Sequence, residues 1–241
     1  MIERVHRVGA DLRKDAVTFV IACDLDGTLL DTPGLIVEAC TAAFTSIDVA
    51  VPDAGEIRAT IGLPLEQAFS TLLGLPEDDP TVTRGMRQYR ALFDEIALPE
   101  AESLPFPGVS RGLATLRAAG FTLAVATSKS HAGAHALLAA AGLRDRFAMV
   151  VGADQVSRPK PDPEMARLIM RRCGVSGERA VMVGDTSHDV VMAKAAGMRS
   201  IAVTSGVHGR EQLATAGPDR VADDFDEVVA TILAAREDPA W

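Results

Sequence analysis

Asp24 and Asp26 stand two residues apart in the run Asp24-Leu-Asp-Gly-Thr28, directly after the apolar stretch Val17-Thr-Phe-Val-Ile-Ala-Cys23. A carboxylate delivered at a strand end is a candidate nucleophile or metal ligand. The two share a face if the strand stays regular through Asp26; the plainer reading is an Asp-rich turn signalled by Asp26-Gly27. Three further polar clusters follow apolar runs. Thr127-Ser-Lys129 offers hydroxyls and N–H groups ahead of a helix, suited to a phosphoryl oxygen or simply to capping that helix. Ser157-Arg-Pro-Lys-Pro-Asp-Pro163 surrounds Lys160 with prolines. It is a stiff loop presenting one cation to a phosphate, or a connector with a solvated lysine. Gly184-Asp-Thr-Ser-His-Asp189 places two carboxylates four residues apart. They suit an oxygen-rich magnesium site, or an N-cap and a charge facing the helix dipole. Turn and cap chemistry explains each cluster alone, but not their recurrence at successive strand ends.

The elements that must position these clusters alternate. Strands are expected at 17–23, 121–126, 148–151, 180–183 and 201–203, and helices at 109–119, 132–141, 163–173, 190–196 and 225–235. Gly142 and Gly174 stand just past two of those helices, where a glycine favours termination. Strands alternating with helices predict a parallel sheet covered on both faces. Ligands bind such sheets at the carboxyl ends of the strands. Residues 33–104 break the alternation, with helical patterns at 34–47, 64–73 and 80–97 and no strand. The predicted fold is therefore α/β: a Rossmann-like, doubly wound parallel sheet formed by 17–32 and 105–241, with a small α-helical cap inserted at 33–104. Residues 1–16 read as a charged N-terminal extension. Hinges are expected near Thr32-Pro-Gly34 and Leu104-Pro-Phe-Pro-Gly108.

The chain has 241 residues, a net charge of −9, and 48% hydrophobic and 24% charged residues. An acidic surface argues against nucleic acid and anionic membranes as partners. Cys23, Cys40 and Cys173 are odd in number and widely spaced, which points to reduced thiols in a cytoplasmic protein. The N-terminus lacks the apolar core of a signal peptide. Oligomeric state is not legible.

The motifs Asp24-Leu-Asp-Gly-Thr-Leu-Leu-Asp31, Thr127-Ser-Lys129, Arg158-Pro-Lys-Pro-Asp-Pro163 and Gly184-Asp-Thr-Ser-His-Asp189 resemble those of the haloacid dehalogenase superfamily, in its phosphatase branch with a small helical cap. The resemblance spans about 17–235 and is strongest to phosphoglycolate phosphatases and related small-phosphoester or pyrophosphate hydrolases. It implies a Mg²⁺ cofactor and a small-molecule phosphoester substrate. It also implies that Asp24 is the nucleophile forming an aspartyl-phosphate, and that Asp26 is the general acid/base. Thr127 would hold a phosphoryl oxygen and Lys160 would neutralise charge. Asp24, the main-chain carbonyl of Asp26, Asp185 and Asp189 would surround the metal. Gly27, Thr28, Ser128 and Lys129 are expected to line the substrate site. Gly62, Leu63 and Pro64 of the cap would reach it from above, their apolar character suiting a small or partly apolar alcohol.

This sequence departs from the family pattern at Ser128, where many relatives carry Asn, and at Cys23, which reads as a buried strand residue. Asp26 separates the chain from true dehalogenases, which usually lack an acid there. A phosphosugar mutase shares all four motifs, but commonly places a basic residue near the turn that here reads Ile61-Gly-Leu-Pro-Leu-Glu66; Arg58 lies before it. A receiver-like phospho-acceptor switch uses a similar set, but is about half as long and has neither the insertion nor an acid at the Asp26 position.

Overall fold

The computed structural model describes residues 19–235, so the extension at 1–16 lies outside the described residues. Its sheet is formed by β1 (Val20–Cys23), β2 (Thr122–Ala126), β3 (Met149–Val151), β4 (Ala180–Gly184), β5 (Arg199–Val203) and β6 (Arg220–Ala222), in the spatial order β3-β2-β1-β4-β5-β6. Every pairing is parallel, with Ile21 opposite Leu123 on one side and Val181 on the other. The chain winds outward from β1 to β3, then crosses back to begin β4 on the other flank of β1. The order therefore reverses between β1 and β4, and that reversal opens a crevice at their carboxyl ends.

Period-two alternation divides the sheet's apolar residues between two layers. Val20, Ala22, Ala124 and Met182 pack with Met165 and Ile169 of α7 (Glu164–Cys173) and Met192 of α8 (Ser187–Ala196). Ile21, Cys23, Val125 and Val183 join the layer of α5 (Val109–Ala118), α6 (His131–Ala140) and α10 (Phe225–Ala235). β1, β2, β4 and β5 are buried along nearly their whole length, on both faces, which is why they read as largely apolar runs.

Between β1 and α5 stand α1 (Pro33–Ser46), α2 (Ala54–Ala59), α3 (Leu65–Leu73) and α4 (Pro80–Glu100). Their packing centres on Phe44, Phe69, Tyr89 and Phe93, with centroid separations of 5.5 to 5.8 Å. Entry and exit of this insertion lie side by side. Asp31 N–H donates to the Leu104 carbonyl at 2.8 Å, and Leu30 bridges Pro105 in antiparallel sense.

Three elements differ from the sequence reading. The six-residue α2, the seven-residue α9 (Arg210–Ala216) and the three-residue β6 were not expected. Each is short, and α9 buries only Leu213, so none has a periodicity to read. The helix expected at 190–196 begins at Ser187, because His188 and Asp189 are helical rather than part of the preceding loop. Among the described residues no helix is long and apolar enough to cross a membrane.

Candidate active site

β1 stops at Cys23, and Asp24 continues its line, its N–H donating to the Val183 carbonyl at 2.8 Å. One carboxylate oxygen, Oδ1, accepts from Leu25 N–H at 2.7 Å and from Lys160 Nζ at 2.9 Å. Oδ2 accepts from no described residue, and Asp24 lines the cleft above the strand ends. β4 delivers Asp185, which is held rigidly: Thr28 Oγ1 donates to its Oδ1 and Val207 N–H to its Oδ2, each at 2.8 Å. This close packing needs glycine at two neighbours. A Cβ on Gly27, whose φ is +81°, or on Gly206 would collide with the Asp185 carboxylate. Asp189 sits in the first turn of α8. Its Oδ2 accepts from Thr186 Oγ1 at 2.7 Å and Thr186 N–H at 3.1 Å, and its Oδ1 from Lys160 Nζ at 2.5 Å. One residue thus serves both the helix terminus, through a capping box, and the acidic cluster.

Asp24, Asp185 and Asp189 are all buried and can each turn one oxygen to within 4.8 Å of the others. Lys160, only 2% exposed, is the ammonium among them. Burial holds Asp24 well above the usual carboxylate range; Lys160 opposes that rise, while Asp189 and Asp185 add to it. Burial, then Asp189, pushes Asp185 up to about 7, against the hydrogen bonds from Val207 and Thr28. Burial also works against the charge of Lys160, but the carboxylates of Asp189 and Asp24 together outweigh it and raise its pKa. Three buried carboxylates facing one ammonium leave negative charge uncompensated in a low-dielectric site. Converging oxygen donors are what a hard divalent cation selects, so the residues fit such an ion.

The Asp26 carboxylate is not part of this group. The strand's regularity ends before it, and its oxygens accept from Thr32 Oγ1 at 2.7 Å and pair with Lys129 Nζ at 3.4 Å. Lys129 Nζ also lies 3.9 Å from the Phe93 ring centroid, so one ammonium links β2's carboxyl end to α4. The Thr127 hydroxyl accepts from Lys129 N–H at 3.1 Å, which leaves its own hydrogen to donate. Ser128 Oγ donates to the Gly62 carbonyl at 2.7 Å and joins the core to the turn after α2. Burial first, then Asp24, drives the Cys23 thiol up to about 12, so it stays protonated and is no second nucleophile.

Asp24, Asp26, Thr127, Ser128, Lys129, Gly62, Leu63 and Pro64 line one cleft. Lys160, Asp185 and Asp189 do not line it; they are buried, with Lys160 in contact with Asp24 and Asp189. Gly27 and Thr28 contact Asp185 instead of lining the cleft. Sequence reasoning missed Tyr89, Arg90, Phe93 and Asp94 of α4, which form much of the opposite wall. Their only signal was the four-residue spacing of Tyr89 and Phe93, which reads as ordinary helix core. It also missed Gly206 and Val207, which follow β5 without any ionisable residue of their own.

A family model for haloacid dehalogenase-like hydrolases matches residues 21–203. The chain is 53% identical over 210 residues to a Dickeya dadantii protein named "Probable phosphatase IndB", covering 87% of this chain and 91% of the other. It is 35% identical over 222 residues to a phosphoglycolate phosphatase of Vibrio cholerae, covering 89% and 96%. A hydrolase of the haloacid dehalogenase-like family from Streptococcus pneumoniae superposes with a TM-score of 0.75 at 27% identity, covering 89% of this chain and 98% of that one. The parallel sheet reversing at β1, the acidic cluster at its strand ends and the family match together show that the chain belongs to the haloacid dehalogenase-like hydrolases.

Proposed function

We propose that the chain is a Mg²⁺-dependent phosphatase that hydrolyses a small-molecule phosphomonoester through an aspartyl-phosphate on Asp24. The observation that carries this reading is the Asp24 carboxylate itself. It is buried at the end of the central strand, 2.9 Å from Lys160, with one oxygen taken by no described residue and open to the cleft. Its relatives named phosphatase and phosphoglycolate phosphatase support the same reading.

Asp24, Asp185, Asp189 and the main-chain carbonyl of Asp26 would hold the Mg²⁺, which supplies charge neutralisation at phosphate and nucleophile when bound. In the first step an Asp24 oxygen attacks phosphorus, and the bond from phosphorus to the ester oxygen breaks. Asp26 serves as the general acid that delivers a proton to that departing oxygen. Then Asp26 takes a proton from water, the water oxygen attacks the same phosphorus, and the bond to Asp24 breaks, releasing inorganic phosphate. Thr127 donates to a phosphoryl oxygen, and Lys160 offsets charge beside Asp24. Helices α1–α4 act as a cap that excludes bulk water. A mutase must hold a second phosphate in place; Arg58, the nearest basic residue before the 61–66 turn, reaches the Gly206 carbonyl at 3.4 Å instead, which favours hydrolysis.

The test is phosphate release from a panel of phosphomonoesters with Mg²⁺ or EDTA, for the wild type and Asp24→Asn. Release that needs Mg²⁺ and falls by several orders of magnitude in the variant is expected. Release that survives in a folded Asp24→Asn protein would move the nucleophile elsewhere.

A further inference from the structure

The cleft above Asp24 and Asp26 has a volume of about 920 Å³, near the top of the roughly 300–1,000 Å³ range of small-molecule sites. A two-carbon phosphate ester occupies a small part of that. The wall facing Asp26 comes from α4, where Tyr89 and Phe93 follow one another by a single turn with ring centroids 5.7 Å apart. Tyr89 is 8% exposed, and its hydroxyl makes no hydrogen bond with any described residue. Buried tyrosine hydroxyls ordinarily find a partner, so this one faces the cleft as a polar handle on an aromatic surface.

Charge in the same wall points in one direction. Its cations are Lys129 and Arg90. Lys129 is engaged by Asp26 and the Phe93 ring, and Arg90 pairs with Glu66 at 3.5 Å. Asp94, also in the wall, forms no ion pair with any of the described residues. A leaving group carrying its own carboxylate or phosphate would enter a region where, among the described residues, carboxylates outnumber the two cations and each cation already faces one of them.

We infer that the preferred substrate is the phosphate monoester of an uncharged, ring-bearing alcohol, seated against Tyr89 and Phe93, and that phosphoglycolate is a poor one. This rests on the phosphatase reading above. The ring lies on the α4 aromatics, a polar substituent reaches the Tyr89 hydroxyl, and the acidic wall rejects anionic leaving groups.

Two matched pairs test this on the wild-type, Mg²⁺-loaded protein. Benzyl phosphate against ethyl phosphate changes ring area while both leaving groups stay primary alcohols. Phosphoglycolamide against phosphoglycolate changes charge at nearly constant size. The first member of each pair is expected to have a kcat/KM at least about tenfold higher, the scale that modest differences in apolar contact produce. In Phe93→Leu, the ratio of the two kcat/KM values, benzyl phosphate over ethyl phosphate, is expected to fall most of the way to one. Phosphoglycolate turning over as fast as its amide, or benzyl phosphate no faster than ethyl phosphate, would overturn the inference and leave the phosphatase standing. No release from any of the four, nor from p-nitrophenyl phosphate, overturns the phosphatase reading and the inference with it.

Discussion

Lys160 carries more than one role, and its removal separates them. Its ammonium contacts Asp24 and Asp189 in a site where both are buried. Lys160→Met therefore leaves a set of buried carboxylates with no neighbouring cation, a change that costs about 3 kcal/mol or more. In EDTA the variant is expected to melt well below the wild type, and Mg²⁺ should recover part of the difference. An unchanged Tm in EDTA would show that the carboxylates are already neutral in the metal-free protein. The cysteines give a second expectation. Burial raises Cys40, like Cys23, to about 12, and raises Cys173 as well. A thiol with a raised pKa remains neutral until the pH climbs to that value. Iodoacetamide between pH 6 and 8 should therefore leave phosphate release intact, and rapid inactivation would contradict it. At this scale the sequence was informative where charge follows an apolar run. Asp24, Lys160, Asp185 and Asp189 stand out in the sequence, and the structure brings the four together, buried and paired as such charges must be. Tyr89 and Phe93 do not stand out, because an aromatic residue on a helix looks the same whether it faces a core or a cleft.

The start of α8 shows how an element and a site share atoms. Thr186 is the N-cap residue, and both its hydroxyl and its N–H donate to Asp189. Thr186→Ala should cost about 1 kcal/mol in urea unfolding. It should also weaken Mg²⁺ binding measured by titration calorimetry, since Asp189 then loses a donor that orients it. Thr186→Ser should restore both, and a loss of stability with unchanged metal affinity would confine Thr186 to the helix. The long, periodic helices of the insertion and the buried strands were legible from pattern alone. α2, α9 and β6 were not, since six-, seven- and three-residue elements give pattern and propensity too little length to act on. The early start of α8 was hidden for a different reason: its first turn is made of the polar residues that serve the site.

Across the whole molecule, the insertion meets the sheet through a few polar contacts above the cleft. Ser128 to Gly62 is the shortest of them, and Arg58 to Gly206 is longer and exposed. A neutral hydrogen bond of this kind contributes about 1 kcal/mol. Ser128→Ala should therefore lower kcat/KM by up to about fivefold while leaving the urea midpoint nearly unchanged. A large fall in stability would mean the contact belongs to the fold and not to the position of α1–α4 over Asp24.

The side-by-side entry and exit of that insertion has a kinetic meaning. β1 and β2 are partners in the sheet, yet Cys23 pairs with Val125 across the whole helical segment. Closing so long a loop as flexible chain slows folding, because its entropy is lost before any strand contact forms. The helices between them pack on one another, α1 against α4 above all, and the pairing of Asp31 with Leu104 brings their two ends together. Once α1–α4 have assembled, β1 and β2 are separated in effect by a short tether. The insertion is then expected to act as a folding template for the β1–β2 pair. Phe69→Ala, which loosens its aromatic centre, should slow refolding more than it speeds unfolding in stopped-flow experiments. The opposite partition would mean that the sheet forms first and the helices dock onto it afterwards.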